Sequence, residues 1–197
     1  MIKDFTGLLL LFIGLIIGLF TGYGLIVALI GLFMLAGDNS NFRRARNFFI
    51  ASVIVTIGGS LLVGAAAGTF AIAVRNGLIG PILMGFFAFV IAFIAFVIAL
   101  FFIDYNAYGS ILGGCRDVAE SRADFALAEK CTTTYYGYRN SLIAVTVLTC
   151  ACLFFCWVPV LNIVLFVITA CVAVWYFVEK ILVIIRVWQT YSLKNNI

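Results

Sequence analysis

Three cysteines close together in one apolar run are the side chains of this sequence that come nearest to a chemical site. They are Cys150, Cys152 and Cys156. On a helix, Cys152 and Cys156 share a face, whereas Cys150 lies on another side. A zinc site needs a complete tetrahedron of ligands, and no His or carboxylate lies near these thiols. We therefore expect inert thiols in the protein interior, and we predict no metal site and no cofactor.

Residues for acid–base or nucleophilic catalysis are also missing from the pattern. The sequence has no His, the side chain that most often acts as a general base. Asp104 and Glu179 lie at the ends of apolar runs rather than within them. Proton- and ion-coupled transporters place carboxylates or His near the middle of the bilayer. We therefore predict a protein without catalytic residues, which is neither an enzyme nor a coupled transporter.

The composition defines the class of protein. Of the 197 residues, 65% are hydrophobic and 10% are charged, whereas a soluble domain is about 45–50% apolar and about 25% charged. This excludes a soluble enzyme, a disordered chain and a nucleic-acid-binding module. Long apolar runs satisfy their backbone in lipid as helices or closed barrels, and barrel strands alternate polar with apolar residues. These runs do not alternate, so we predict an all-α integral membrane protein.

Two of the apolar runs are too long for a single crossing. A helix over residues 7–35 would be about 44 Å long, against a hydrocarbon core of about 30 Å. Turn-forming residues at 21–24 and Pro159 divide these runs into two helical hairpins. The two arms of the first hairpin would each be only about 20 Å long, so we expect it either to dip into the bilayer without crossing it or to thin the bilayer locally. The single transmembrane domain, 1–197, then has about six membrane segments, at residues 7–20, 25–37, 48–74, 78–103, 142–158 and 161–178, and one surface helix, about Arg116 to Lys130, in the 104–140 loop.

The basic residues support this arrangement. With six segments, every Lys and Arg except Arg75 falls on one side of the membrane. Because Lys and Arg concentrate on the cytoplasmic side of short loops, we predict that both termini are cytoplasmic. The cluster of Arg43, Arg44 and Arg46 lies on that side. It is a topology determinant or, alternatively, a site for anionic lipid headgroups.

Small residues recur at helical spacing in the first three apolar runs. In lipid, helices pack where small side chains let their backbones approach closely. We therefore expect these residues to form helix–helix contacts, either within this chain or with another. They are Gly14, Gly18 and Gly22 in the first run, Gly64 and Gly68 in the second, and Ala88, Ala92, Ala95 and Ala99 in the third.

These observations favour a non-catalytic polytopic membrane protein, which we expect to be a structural or accessory subunit of a larger membrane assembly. Its expected partners are membrane lipids and other membrane-protein chains or copies of itself, with no nucleic acid. The alternative is a passive channel or carrier for small or lipidic molecules, because backbone and hydroxyl groups are able to line a pore without charged residues.

Overall fold

The computed structural model describes residues 5–21, 23–77, 79–155 and 158–196. Within these ranges the chain forms helices joined by short turns, with no strand, so the all-α class is confirmed. Four helices are long and apolar enough to cross a membrane, as expected for an integral membrane protein. The described helices are α1 (Thr6–Phe20), α2 (Gly24–Leu35), α3 (Ser40–Arg75), α4 (Ile79–Ser121), α5 (Phe125–Phe154) and α6 (Pro159–Ser192), followed by a 3₁₀ turn (Leu193–Asn196).

The two predicted hairpin breaks lie where helices end and begin. Thr21 ends α1 in an extended conformation, and α2 begins at Gly24. Pro159 is the first residue of α6, where its missing N–H costs no intrahelical hydrogen bond. With 15 and 12 residues, α1 and α2 fall short of the roughly 20 residues that a spanning helix needs. The count of about six membrane segments therefore stays a prediction.

The predicted surface helix over Arg116–Lys130 is wrong. Its residues belong to the end of α4 and the start of α5, which are separated by a tight turn at residues 122–124. The Asp124 N–H donates to the Ala119 carbonyl at 3.0 Å, and the Asp124 carboxylate accepts from the Leu127 N–H at 2.9 Å. Apolar residues buried on both sides of the turn, such as Val118 and Leu127, pack one face of each helix end against the core.

The buried core lies at one end of the bundle, which we call the core end. Here the α1–α2 hairpin packs against the first turns of α3 and against α6, beside the last turns of α4 and the first half of α5. Hydrogen bonds cross this end: Asn39 and Asn41 donate to Asp117 at 2.9 and 2.8 Å, and Arg186 donates to Thr134 at 3.0 Å. The α3–α4 turn, with Arg75 beside it, lies at the opposite end.

The rest of the four long helices is mostly exposed. In their most apolar stretches, 6% of the residues of α3 and of α4 are buried, 17% in α5 and none in α6. Such apolar surface would be unstable in water but is the expected outer surface of a helix in lipid. The core end therefore holds the fold together, and the apolar stretches provide the membrane-facing surface.

Candidate functional site

The glycines of α1 and α2 lie in direct helix–helix contact. A Cβ on Gly14 would overlap the backbone of Ala28, and one on Gly24 would overlap the backbone of Gly18. A Cβ on Gly31 would come within 2.5 Å of the backbone nitrogen of Leu11. The predicted packing residues Gly14 and Gly18 thus face α2 inside this hairpin, while Gly22 lies outside the described residues. Two short helices here pack backbone to backbone.

The small residues of α3 and α4 are placed differently. A Cβ on Gly64 or Gly68 would meet no atom within 4 Å, and both glycines are exposed. On α4, Ala88 and Ala95 are exposed, and Ala92 is half-buried. Ala99 is half-buried one turn beyond Ala95. The predicted packing residues of these helices therefore lie wholly or partly on the surface of this chain.

Part of this surface is a groove between α3 and α4, which we call the alanine groove. Its volume is about 560 Å³. Its one side-chain hydroxyl, that of Thr69, donates to the Ala66 carbonyl at 2.8 Å, so the groove offers apolar contact only. The lining residues are Leu62, Ala65, Ala66 and Thr69 of α3 and Ala88, Ile91, Ala92 and Ala95 of α4.

Contacts between a glycine and a phenylalanine hold α3 and α4 together beyond each end of the alanine groove. A Cβ on Gly59 would overlap the ring of Phe96, and one on Gly85 would lie 3.0 Å from the Cα of Phe70. In both places a glycine on one helix makes room for a Phe of the other. Since these contacts fix the separation of the two helices, the small side chains between them leave a hollow instead of a contact.

A polar cluster ties α4, α5 and α6 together where the apolar stretches begin. The Lys180 ammonium lies 3.7 Å from the Asp104 carboxylate, and it also lies over the rings of Tyr108 and Tyr176 at 5.1 and 4.9 Å. Tyr176 donates to Asp104 at 3.2 Å, and the Tyr138 hydroxyl lies 3.4 Å from that of Tyr176. Each charge is matched by a partner, so the cluster is suited to fixing helices rather than to acid–base chemistry.

Sequence reasoning missed this cluster. It placed Asp104 and Glu179 at segment ends but paired neither with a partner. Glu179 accepts from the Trp175 indole N–H at 3.2 Å and packs over Gly137, where a Cβ would lie 2.6 Å from the carboxylate oxygen. The available signal was one acidic and one basic residue at the ends of different segments, Asp104 and Lys180, on the same predicted side.

The three arginines near the start of α3 point to different surroundings. Arg43 donates to the Ala36 carbonyl at 3.2 Å, at the end of α2. Arg46 donates to Asn47 at 3.0 Å and lies 5.1 Å over the Phe33 ring. Arg44 lines a crevice of about 350 Å³ between α3, α4 and α5. The three side chains of the predicted headgroup cluster thus have different neighbours, and Arg44 lies beside a cavity.

The cysteines that the structure describes are free thiols. Cys115 and Cys131 are buried, and Cys150 and Cys152 are half-buried. The Cys152 sulfur lies 3.4 Å from the Thr169 hydroxyl, while Cys156 lies outside the described residues. In the part of the chain that the structure covers, no three His, Cys, Asp or Glu side chains are grouped so as to hold a metal ion.

Comparisons with known proteins give this chain no relative. No protein-family model, no curated protein and no solved structure matches it. The alanine groove, the polar cluster and the crevice are therefore the features of the molecule that bear on its function.

Proposed function

We propose that this chain is a non-catalytic polytopic membrane protein that serves as a structural or accessory subunit of a larger membrane assembly. The observation that carries the proposal is the alanine groove. It presents a continuous row of small side chains, among them Ala88, Ala92 and Ala95, on the membrane-facing surface of α3 and α4.

Helices associate in the membrane where their backbones approach one another closely. Lipid tails are as apolar as the groove, so helix association in the membrane depends on packing rather than on removal from water. A helix that enters a hollow lined by alanines brings its backbone near two helices at once and gains many dispersion contacts. The α1–α2 hairpin shows that this sequence does pack helices through small residues, since Gly14 and Ala28 touch there.

A carrier of lipidic molecules is the second candidate. It is favoured by a cavity of about 440 Å³ between the apolar parts of α4 and α5. This cavity lies among apolar side chains, including Val90, Ile94 and Leu153, and its volume lies within the range of about 300–1,000 Å³ that is typical of ligand sites. An acyl chain fits this chemistry, whereas an ion does not.

Copurification separates the two candidates. The tagged full chain is extracted from its native membrane in mild detergent, and bound chains are quantified by mass spectrometry. A subunit brings down at least one different chain in stoichiometric amount. Ala92→Leu and Ala95→Leu, which fill the alanine groove, are expected to remove that chain. Ala71→Leu, at an exposed site of α3 that does not line the groove, is the matched control and keeps it.

Two results would contradict the subunit proposal. One is a parent protein that purifies without a stoichiometric partner, and the other is a partner that stays bound to both groove variants. Lipid transfer between liposomes by the purified chain alone would then favour the carrier.

Orientation in the membrane is part of the same proposal, with the core end and both termini on the cytoplasmic side. Ser40, Ser121 and Ser192 are exposed residues of the core end. Single cysteines at these positions, in a background without the native cysteines, are expected to react with an impermeant reagent from the cytoplasmic side. Labelling of Ser40 and Ser192 from opposite sides would exclude the arrangement.

A further inference from the structure

The crevice beside Arg44 exists because α3 and α5 stand apart on either side of α4. Its floor is one face of α4, where Gly109 and Gly113 supply no side chain. A Cβ on Gly113 would lie 3.2 Å from the Asn41 amide, and one on Gly109 would lie 2.9 Å from the Tyr135 ring. Glycines at these two positions therefore let the Asn41 and Tyr135 side chains lie close against α4 at the floor of the crevice.

Polar and cationic groups line this crevice. Arg44 of α3 is exposed, and Arg116 of α4 has 52% of its side chain exposed. Glu120 binds the Arg116 Nε at 2.7 Å, and a guanidinium has further N–H donors on its other nitrogens. The other nearby carboxylate, Asp117, accepts from Asn39 and Asn41. The remaining polar lining consists of Asn106, Ser110 and Thr132, with the hydroxyls of Tyr105, Tyr135 and Tyr136.

A further cation, Arg139, lies toward the membrane and outside the lining of the crevice. Arg139 lies one turn after Tyr136 on α5, and its guanidinium is 5.2 Å from the centre of that ring. Its Nε is buried and has no hydrogen-bond partner among the described residues. A buried donor without a partner is costly, so an acceptor supplied by a ligand would stabilise this side chain.

The crevice continues into apolar surface at its membrane end. Phe102 lies one turn before Asn106 on the same face of α4 and is 59% exposed. Ile143 lies one turn after Arg139 on the same face of α5 and is 41% exposed. On α4, Arg116, Tyr105 and the exposed Phe102 follow one another toward the apolar stretches, whereas on α5 Arg139 lies between Tyr136 and the exposed Ile143. Cationic and aromatic residues beside an apolar surface are typical of the level of the lipid headgroups.

We propose that the crevice binds the phosphate-bearing headgroup of an anionic phospholipid, with Arg44 and Arg116 on the phosphate. Its acyl chains lie against Phe102 and Ile143. The crevice volume of about 350 Å³ falls within the usual range of about 300–1,000 Å³ for ligand sites. The proposal does not depend on the subunit function, because the site is complete within one chain.

The test measures binding to the purified full chain in a neutral detergent by titration calorimetry. The three probes are dioctanoyl phosphatidylglycerol, dioctanoyl phosphatidylcholine and inorganic phosphate. Phosphatidylglycerol is expected to bind saturably and tighter than the other two. The double variant Arg44→Gln with Arg116→Gln is expected to weaken that binding about thirtyfold, since each of the two cations near an anionic lipid contributes about 1 kcal/mol.

Two further variants separate the crevice from general surface charge. Arg43→Gln with Arg46→Gln removes the same charge from the same side, and is expected to leave binding unchanged because neither side chain lines the crevice. Ser110→Phe fills the crevice without changing charge, and is expected to weaken binding as the crevice arginine variant does. It also keeps the test decisive if that double variant fails to fold.

Specific results would overturn the proposal. Equal binding by the parent and the Ser110→Phe variant excludes the crevice. An equal loss in the Arg43 and Arg46 control assigns the effect to surface charge alone. Inorganic phosphate that binds as tightly as phosphatidylglycerol excludes the lipid as the ligand and assigns the site to free phosphate.

Discussion

The α1–α2 and α3–α4 hairpins carry similar patterns of small residues and use them in different ways. In α1–α2, Gly14 lies against Ala28 and Gly31 against Leu11, with no room for a methyl group. In α3–α4, Gly64 and Gly68 face open surface, and the alanines of α4 line a groove. The first row of small residues is closed by its own chain, and the second is left open.

The difference comes from which residues set the distance between the helices. In α1–α2 the glycines themselves are the contact, so the backbones touch. In α3–α4 the contacts beyond the groove are those of the Phe96 ring with Gly59 and of the Phe70 backbone with Gly85, and the alanines lie between these points. A spacing of small residues therefore predicts a surface suited to close packing, but it does not say which helix covers that surface.

The largest expected loss of stability follows a substitution among the small residues that join α1 and α2. Gly14→Ala places a methyl group on the Ala28 backbone, and backbone is unable to move aside as a side chain does. We expect the free energy of unfolding to fall by about 3 kcal/mol, measured by thermal or denaturant unfolding of the full chain in detergent. Gly64→Ala is the matched control, with no neighbour to meet. It is expected to be neutral or stabilising by up to about 1 kcal/mol through helix propensity. Equal effects of the two substitutions would contradict the comparison.

The second prediction concerns the support of the first hairpin. Lys180 lines a small cavity together with Gly14 and Gly18 of the hairpin, and its ammonium is paired with Asp104, so we expect this pair to support the hairpin. Asp104→Asn leaves that ammonium without its counter-charge at a site where the two side chains are 23% and 29% exposed. We expect a loss of about 2 kcal/mol, which is less than for a fully buried pair.

Glu120→Gln is the control for this prediction, because it breaks the Arg116–Glu120 pair, whose side chains are 52% and 41% exposed. Its expected cost is within about 0.5 kcal/mol. Hydrogen exchange should show that Asp104→Asn loosens α1 and α2 more than the α3–α4 turn. A uniform change across the chain would mean that the pair does not support the hairpin specifically.

The third prediction concerns the small residues that line the alanine groove. Ala95→Leu adds a larger side chain where the groove has space, so the stability of the isolated chain should change by less than about 0.5 kcal/mol. Its melting temperature in detergent measures this. A loss as large as that of Gly14→Ala would show that the groove is closed in the folded chain.

Another small effect is expected at the turns that follow α3 and α4. After α3, Gly77 takes a positive φ of 68°, and after α4 the same role falls to Ala123, with φ of 59°. A left-handed conformation costs a non-glycine residue about 1–2 kcal/mol, partly offset by the greater freedom of glycine in the unfolded chain. Ala123→Gly is therefore expected to stabilise the protein by about 0.5 kcal/mol in the same unfolding assay. A destabilised variant would show that Ala123 is not strained.

The sequence by itself determined the class of fold and the hairpin breaks. Its apolar content leaves helices in lipid as the structure that satisfies the backbone, and Gly24 and Pro159 begin helices where turn-forming residues predicted a break. These properties depend on composition and on neighbours along the chain, which the sequence displays directly.

Only the tertiary structure decided which residues meet. The sequence predicted a loop with a surface helix, whereas α4 extends to Ser121 and α5 begins at Phe125. This prediction failed because the ends of these helices depend on the residues that bury Val118 and Leu127. It gave no partner to Asp104, and it did not distinguish the covered Gly14 from the open Gly64. Each of these depends on how far one helix is rotated and displaced against another. That geometry is fixed by the sum of all contacts between the helices, and no single spacing along the chain contains it.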